Sequence, residues 1–479
     1  MHRASNVVNS RPRMPPTTSA FPARLLGHLG DLDLFGSSRG GRIGHRLLER
    51  FGDWYAAVNA KTFCVRLGGQ DIIVTKDPRV FKPVLGQFLA HFEPSTKARA
   101  AVGSLMPSHV FVQESADDWA RVRKVLSHAL AQQDVERIPS IASSIVDTLT
   151  VPSSGTMDVV PEVVMPKLAF DMVSQLLFDW DPKTMSGESL PLLASALLVS
   201  DVIGERTMLP LPWLWRLPLP RNRDANAARD VLRAHVQSFV AARGPRHSPT
   251  SLLDAMVAAT SDGNLSATEM RDNLLALFFG AFDNTAHTLS ILFNLLATHP
   301  EVQDELYAAL LSAFPNGASE IATATSSQLR DVPYLCWTVD EVLRLKPAVP
   351  VISRQCVAPC VIHGVEFRAG DDVLIDGGSA CRDADYGPGH SDLDVFRPSR
   401  FGDTFAALDK SVLLSFGAGK RLCPGRSIAL SQVRAVCAYV IATFHVSRPA
   451  SSPPLLFDLK LTVTTRAGHG TMVWTKRKE

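Results

Sequence analysis

One stretch limits the folds open to this chain more than any other. From Ser266 to His299 the sequence runs for about 30 residues with no proline and a single glycine, Gly280. It opens with Ser266-Ala-Thr-Glu269, a capping-box pattern in which a hydroxyl and a carboxylate each satisfy a backbone N–H of the first turn. As one helix the stretch would be roughly 45 Å long. Its middle is apolar nearly all the way round, and such a helix must be buried. Burying a rod of that length requires other helices on several of its sides. Inside it sit Asp283, Asn284, Thr285 and His287. Buried polar groups need partners or a task; His287, one turn past Asp283, reads as a hydrogen-bonded core histidine.

The chain has the material for such a core. Of 479 residues, 46% are hydrophobic and 20% charged, which excludes disorder over most of the length. The length alone fits one large domain or about three ordinary ones. Lys plus Arg minus Asp plus Glu is 49 − 47 = +2, so no strong field favours a nucleic-acid partner. The 7 cysteines are odd in number. At least one is unpaired within the chain, which points to a reducing compartment. No run of about 20 apolar residues offers a membrane span. Residues 1–30 carry Arg3, Arg11, Arg13, Arg24 and four prolines without an apolar centre, so they read as a Pro-rich lead-in rather than a signal peptide. Either the protein is soluble or its anchor lies outside this chain.

Periodicity predicts a helix over 44–57, then strands over 62–67 and 71–75 joined at Gly68-Gly69 as a hairpin. Helical spacing dominates from about 116 to 317, with helices over 119–132, 162–178, 190–206 and 224–243. Strands are expected over 349–352, 361–367 and 373–375, and a last helix over 426–444. Mixed α and β with helices in the majority is the resulting class, without internal repeats. Residues 209–220, LPLPWLWRLPLP, hold two Trp and four Pro. Proline at that density cannot be a helix interior, so the segment reads as an apolar, aromatic loop between helices. Such a loop either packs on the core or dips into a membrane interface, a boundary that Trp favours.

The most chemically suggestive segment is Phe416-Gly-Ala-Gly-Lys-Arg-Leu-Cys-Pro-Gly425. Its glycines permit a tight turn and let a bulky group lie against the backbone. Cys423 stands just before a helix N-terminus, where free N–H groups and the helix dipole favour thiolate over thiol. A thiolate in a rigid loop is a good metal ligand. A phosphate loop is excluded, because Gly419-Lys420 is followed by Arg421 rather than Ser or Thr. No CxxC partner suggests zinc. From these residues alone, a metal-ligating cysteine and a buried structural one both stand.

Phe416, Gly417, Gly419, Arg421, Cys423 and Gly425 match at every position the haem-binding signature F-G-x-G-x-R-x-C-x-G. On this the chain resembles the cytochrome P-450 superfamily, the haem-thiolate monooxygenases, from about Phe21 to the C-terminus. The resemblance implies a mainly α fold with small β-sheets (α+β), in which residues 31–479 form a single domain. Haem b, iron protoporphyrin IX, would lie between the long central helix and the helix after the Cys loop, with Cys423 as axial ligand.

Other segments match the family in order. Glu341-Val-Leu-Arg344 is similar to its E-x-x-R pair, and Phe396-Arg-Pro-Ser-Arg-Phe401 to its F-x-P-E-R-F motif, with Ser399 replacing the usual Glu. The resemblance implies a buried ion network of Glu341, Arg344 and Arg400. Trp119-Ala-Arg-Val-Arg123 resembles the W-x-x-x-R segment; by that analogy Trp119, Arg123, Arg354 and Arg421 hold the haem propionates. Gly280-Ala-Phe-Asp-Asn-Thr285 resembles the oxygen-activation motif. There Asp283 matches the acid, Asn284 stands where the family usually places Thr, and Thr285 follows one residue on. An amide donates a hydrogen bond but does not relay a proton as simply as a hydroxyl.

The function implied is insertion of one oxygen atom from O2 into a lipophilic organic substrate, with electrons from a redox partner. The alternatives are a non-oxygenating haem-thiolate isomerase or dehydratase, which Asn284 keeps open, and a non-catalytic haem-binding protein. Arg421, the length and the Trp-rich loop look more like the microsomal type. That implies an NADPH-dependent diflavin reductase, with Arg121, Lys124 and Lys420 as candidate contacts. It also implies the cytoplasmic side of the endoplasmic reticulum, with peripheral membrane contact through residues 209–220. Substrate contacts are expected in residues 92–117, 209–220, 279–284 and 347–352, which are mainly apolar. The sequon at Asn264 is better read as part of the helix cap at Ser266, and the other six cysteines as small core or surface residues.

Overall fold

The capping signal at Ser266 does start the longest helix. In the computed structural model, which describes residues 10–16, 47–67, 70–208, 211–242, 251–386, 392–402, 410–459 and 462–477, that helix spans Ala267–Thr298. Ser266 Oγ accepts from the Glu269 N–H at 3.1 Å, and the Glu269 carboxylate accepts from the Ser266 N–H at 2.8 Å. Numbered in chain order, the helices before it are α1 (Leu47–Val58), α2 (Pro78–Leu85), α3 (Thr96–Gly103), α4 (Ala116–Ala131), α5 (Ile138–Val146), α6 (Pro161–Phe178), α7 (Leu190–Met208), α8 (Pro212–Trp215), α9 (Pro220–Ala242) and α10 (Leu252–Ser261). The long helix is α11. After it come α12 (Pro300–Ala313), α13 (Ala318–Thr323), α14 (Ser326–Arg330), α15 (Pro333–Leu345), α16 (Gly377–Ala380) and α17 (Arg426–Thr443). Helix α11 is wrapped by α6, α7, α9, α15 and α17. Its leucines and phenylalanines join one large core with theirs.

The strands are β1 (Thr62–Leu67), β2 (Gln70–Thr75), β3 (Phe92–Glu93), β4 (Thr156–Val159), β5 (Val351–Cys356), β6 (Cys360–Ile362), β7 (Val365–Phe367), β8 (Asp372–Asp376), β9 (Phe444–Ser447), β10 (Phe457–Leu459), β11 (Val463–Thr465) and β12 (Met472–Lys476). The largest sheet has the order β1-β2-β8-β5-β3, with β2 and β8 parallel and the other pairs antiparallel. Residues 10–16 of the lead-in lie against this sheet. Arg13 accepts from the Cys64 N–H at 3.0 Å, and the Arg11 guanidinium pairs with Asp371 and with Asp71.

The predicted hairpin at 62–75 is present in full register, Thr62 opposite Thr75; its Gly68-Gly69 turn lies outside the described residues, as do residues 44–46. Three expectations change. The single strand expected over 361–367 is two, β6 and β7, because His363 and Gly364 both take positive φ, 47° and 79°, and make the two-residue turn of a tight hairpin. Helix α9 starts four residues before Asp224, at Pro220, whose fixed φ suits a first turn. The 209–220 segment contains the one-turn helix α8; Trp213 on it is 61% exposed. Leu209 and Pro210 lie outside the described residues. The C-terminal strands β10–β12 were not expected, being three to five residues long, too short for alternation to register.

Strand β12 ties the long helices together. It pairs with β4 on one side and with β9, the continuation of α17, on the other. Trp474 on it is fully buried, with ring centroids 5.3 Å from Phe293 of α11 and 5.4 Å from Phe444.

Candidate functional site

The Cys loop is shaped by backbone. Gly417 and Gly419 have φ of 74° and 67°, conformations that a side chain disfavours. A Cβ on Gly419 would lie 2.3 Å from the Leu85 carbonyl oxygen, so the loop meets the end of α2 at a distance only glycine allows. The Cys423 N–H donates to the Phe416 carbonyl at 2.9 Å. That closes the loop and sets Cys423 just before α17, which Gly425 caps without a side-chain bond. Cys423 is the one exposed cysteine of the seven, and all seven are free thiols. Burial pushes the Cys423 thiol up, against the smaller opposing pull of the Gly425 N–H and the Arg123 charge. A thiol that coordinates a metal is deprotonated outright, whatever its pKa without the metal.

The four predicted anion-binding residues come from three elements. Ser115 caps α4, accepting from the Asp118 N–H, and the helix then carries Trp119 and Arg123 one turn apart. Arg354 sits on β5 opposite Val373 of β8. The Arg421 guanidinium lies 4.4 Å over the Trp119 ring, and Arg123 donates to the Leu422 carbonyl. Arg354 is only 7% exposed; burial, with Arg421 as a like-charged neighbour, pushes it down to about 10. Burial also lowers Arg421 and Arg123. None of the three makes an ion pair among the described residues, and Arg354 Nε is buried without a hydrogen-bond partner. A cluster of largely buried cations, in which Glu93 acts on Arg421 but no carboxylate forms an ion pair with any of the three, suits an anion.

Along α11 one stripe is open while the flanking residues are buried. Leu277, Ala281, Asn284 and His287 are partly exposed and Gly280 is exposed; a Cβ added at Gly280 would meet nothing within 4 Å. Asn284 Nδ2 donates to the Gly280 carbonyl at 3.0 Å, and its Oδ1 is buried without a partner among the described residues. Thr285 is turned away from this stripe. It is buried, and its hydroxyl donates to the Ala281 carbonyl at 2.9 Å and lies 3.4 Å from Gln432 Oε1 of α17. Asp283, buried on the next face, accepts from Ser200 Oγ of α7 at 2.8 Å.

Behind the loop, Glu341, Arg344 and Arg400 have fully buried side chains. Glu341 accepts from Arg344 Nε at 2.7 Å, Arg344 Nη2 at 3.0 Å, Arg400 Nε at 2.8 Å and the Arg397 N–H at 3.0 Å. The remaining donors reach carbonyls: Arg344 that of Cys381, and Arg400 those of Asp392 and Val395. Ser399 points out of this network and is exposed. One docking candidate changes: Arg121 is already committed to Glu269 at 2.7 Å and Asp118 at 3.0 Å, whereas Lys124 and Lys420 are exposed.

Sequence reasoning missed how residues 104–113 are held. Asp272 of α11, fully buried, accepts from the Ser108 N–H at 2.9 Å and from Arg233 of α9 at 3.4 Å. Asn273 accepts from the Val110 N–H at 3.1 Å. The adjacent Asp272-Asn273 pair on an otherwise apolar helix face was the available signal.

These residues fit a haem: an anion cluster suited to two propionates, a helix stripe opened by Gly280 and Ala281, and a free thiol on a rigid loop. A family model described as Cytochrome P450 matches residues 39–471. The Cytochrome P450 monooxygenase himC of Aspergillus japonicus is 26% identical over 452 residues, 88% of this chain and 78% of that protein. The cyclooctat-9-en-7-ol 5-monooxygenase of Streptomyces melanosporofaciens is 30% identical over 267 residues, 54% of this chain and 55% of that protein. Among solved structures, the crystal structure of the cytochrome P450DA heme domain superposes with a TM-score of 0.81 at 19% identity, covering 98% of this chain and 99% of that one.

Proposed function

The chain belongs to the cytochrome P450 family, and on that premise we propose the roles of its residues. The protein is a haem-thiolate monooxygenase of mainly α fold with small β-sheets, binding haem b and using a substrate, O2 and a redox partner. We infer that residues 31–479 are its single domain and that Cys423 is the axial ligand. When bound, haem supplies the oxidation chemistry, which a thiolate ligand promotes.

The protein's own groups do the rest. Trp119, Arg123, Arg354 and Arg421 bind and orient the two propionates, which would relieve the uncompensated charge described above. Phe416, Gly419 and Gly425 shape the Cys loop that would carry the ligand, and Gly280 and Ala281 keep the facing stripe of α11 open for the group. Asp283 places a carboxyl beside that space, and Asn284 places an amide there. Glu341, Arg344 and Arg400 fix the scaffold behind the loop. Thr285, by its contacts, is a tie between α11 and α17 rather than a substitute hydroxyl.

The residues around the open stripe are mainly apolar, which favours a lipophilic substrate. By likeness to the microsomal type, the electron donor is an NADPH-dependent diflavin reductase docking near Lys124 and Lys420. By the same likeness the protein works on the cytoplasmic side of the endoplasmic reticulum. No helix among the described residues is long and apolar enough to cross a membrane. Trp213, Leu217 and Leu219, all more than 40% exposed, suit peripheral contact with a lipid surface.

The observation that carries the ligand assignment is the closed Cys loop with its exposed thiol. Reduced protein exposed to CO should absorb near the wavelength typical of thiolate-ligated haem, and Cys423→Ala and Cys423→His should each abolish that band. A thiolate-type band surviving in Cys423→Ala would reject the assignment; changes at the other six cysteines should leave it intact.

A further inference from the structure

A buried polar chain crosses α11 beside the open stripe. It starts at Thr462, next to β11, whose hydroxyl shares a 2.6 Å hydrogen bond with His287 Nδ1. The same nitrogen lies 3.7 Å from Asp283 Oδ1. The other carboxylate oxygen, Oδ2, accepts from Ser200 Oγ of α7 at 2.8 Å. Thr462, Asp283 and Ser200 are each buried, at 2%, 4% and 4% exposure. Three elements thus meet on one carboxylate through apolar surroundings: the C-terminal hairpin, the long helix and α7.

A carboxylate is symmetric and turns about its own axis unless both oxygens are engaged. Here Ser200 engages one, and His287 faces the other from one helical turn away, where side chains at i and i+4 meet. The distance of 3.7 Å is too long for a hydrogen bond, yet close enough for charge to act between the two groups. His287 is itself aimed by Thr462, as a third group aims the base in a triad.

We propose that His287 is the positioning residue for Asp283, fixing its carboxyl in one orientation and linking it to the C-terminal hairpin through Thr462. This rests on the reading that Asp283 serves proton supply at the open stripe. It departs from the expectation of a merely structural core histidine.

The test uses the haem-loaded protein with His287→Phe, His287→Asn and Asp283→Asn. The asparagine at 287 keeps a hydrogen-bonding group near the place of Nδ1. Infrared difference spectra against Asp283→Asn isolate the Asp283 carboxyl band, which His287→Phe should shift and His287→Asn should restore. Hydrogen peroxide released per O2 consumed is then measured under NADPH, with whichever of a diflavin reductase or a ferredoxin and its reductase reduces the wild type. It should rise about two- to five-fold in His287→Phe, the effect of losing one close polar contact, and return in His287→Asn, with the CO band unchanged in both. An unshifted carboxyl band, or an unchanged peroxide ratio in His287→Phe while Asp283→Asn raises it, overturns the proposal. So does a defect that His287→Asn fails to rescue. If Asp283→Asn itself leaves the ratio unchanged, the reading of Asp283 falls instead, and the proposal falls with it.

Discussion

Asn284 shows how far one position can be understood from its neighbours. Its amide takes the Gly280 carbonyl at 3.0 Å, the same i−4 bond that Thr288 makes to Asn284 at 2.8 Å. A threonine at 284 could therefore make the same bond while presenting an oxygen that both donates and accepts. We predict that Asn284→Thr lowers peroxide released per O2 consumed by about five-fold, one hydrogen bond's worth. An unchanged or higher ratio would mean that the amide already guides protons as well as a hydroxyl does. This residue, Cys423 and Asp283 were all legible in the sequence, because their types are rare in a loop or helix of that character. Their orientations were not. That Thr285 faces α17, and that Asp283 is held from α7, depends on packing between segments more than 80 residues apart, which no local pattern encodes.

Elements carry the next level. The pairing of α15 with the Pro398–Phe401 turn depends on one carboxylate serving two guanidiniums, all at 0% side-chain exposure. Removing it leaves Arg344 buried without a counter-charge and Arg400 with only Asp392 at 3.5 Å, at a cost of about 3–5 kcal/mol. Glu341→Ala should therefore yield mostly apoprotein or aggregate, measured as haem absorbance per polypeptide. Glu341→Gln, which keeps the acceptor oxygen, should be milder. Full haem loading with wild-type melting in Glu341→Ala would show that the network is dispensable. The longer helices α6, α7, α11 and α17 were predicted within a few residues because their apolar stripes are long. Pro220 shifted one start and the turn at His363-Gly364 split one strand, both through backbone effects of one or two residues. The strands after residue 450 left no readable signal, since each is stabilised by partners elsewhere in the chain rather than by its own alternation.

Across the whole molecule, the feature that joins the parts is β12. Trp474 wedges between Phe293 and Phe444, so it holds the far ends of both helices that flank the site. Trp474→Ala should cost about 3–5 kcal/mol, as for other buried aromatics, read as a lower thermal midpoint of the haem-loaded protein. A shift within experimental error would show the two helices to be self-sufficient. The fold class was legible from α11 alone, because a rod that long and that apolar dictates a helical wrapping; its closure by a late strand was not. That closure also sets an order of events. A ribosome makes the chain from its amino end, so Cys423 and all of α17 exist before Trp474 does. While they wait, the two helices have no wedge between their ends. The packing of those ends on each other through the indole is thereby a step that follows synthesis of residue 474 rather than one that accompanies the making of the helices.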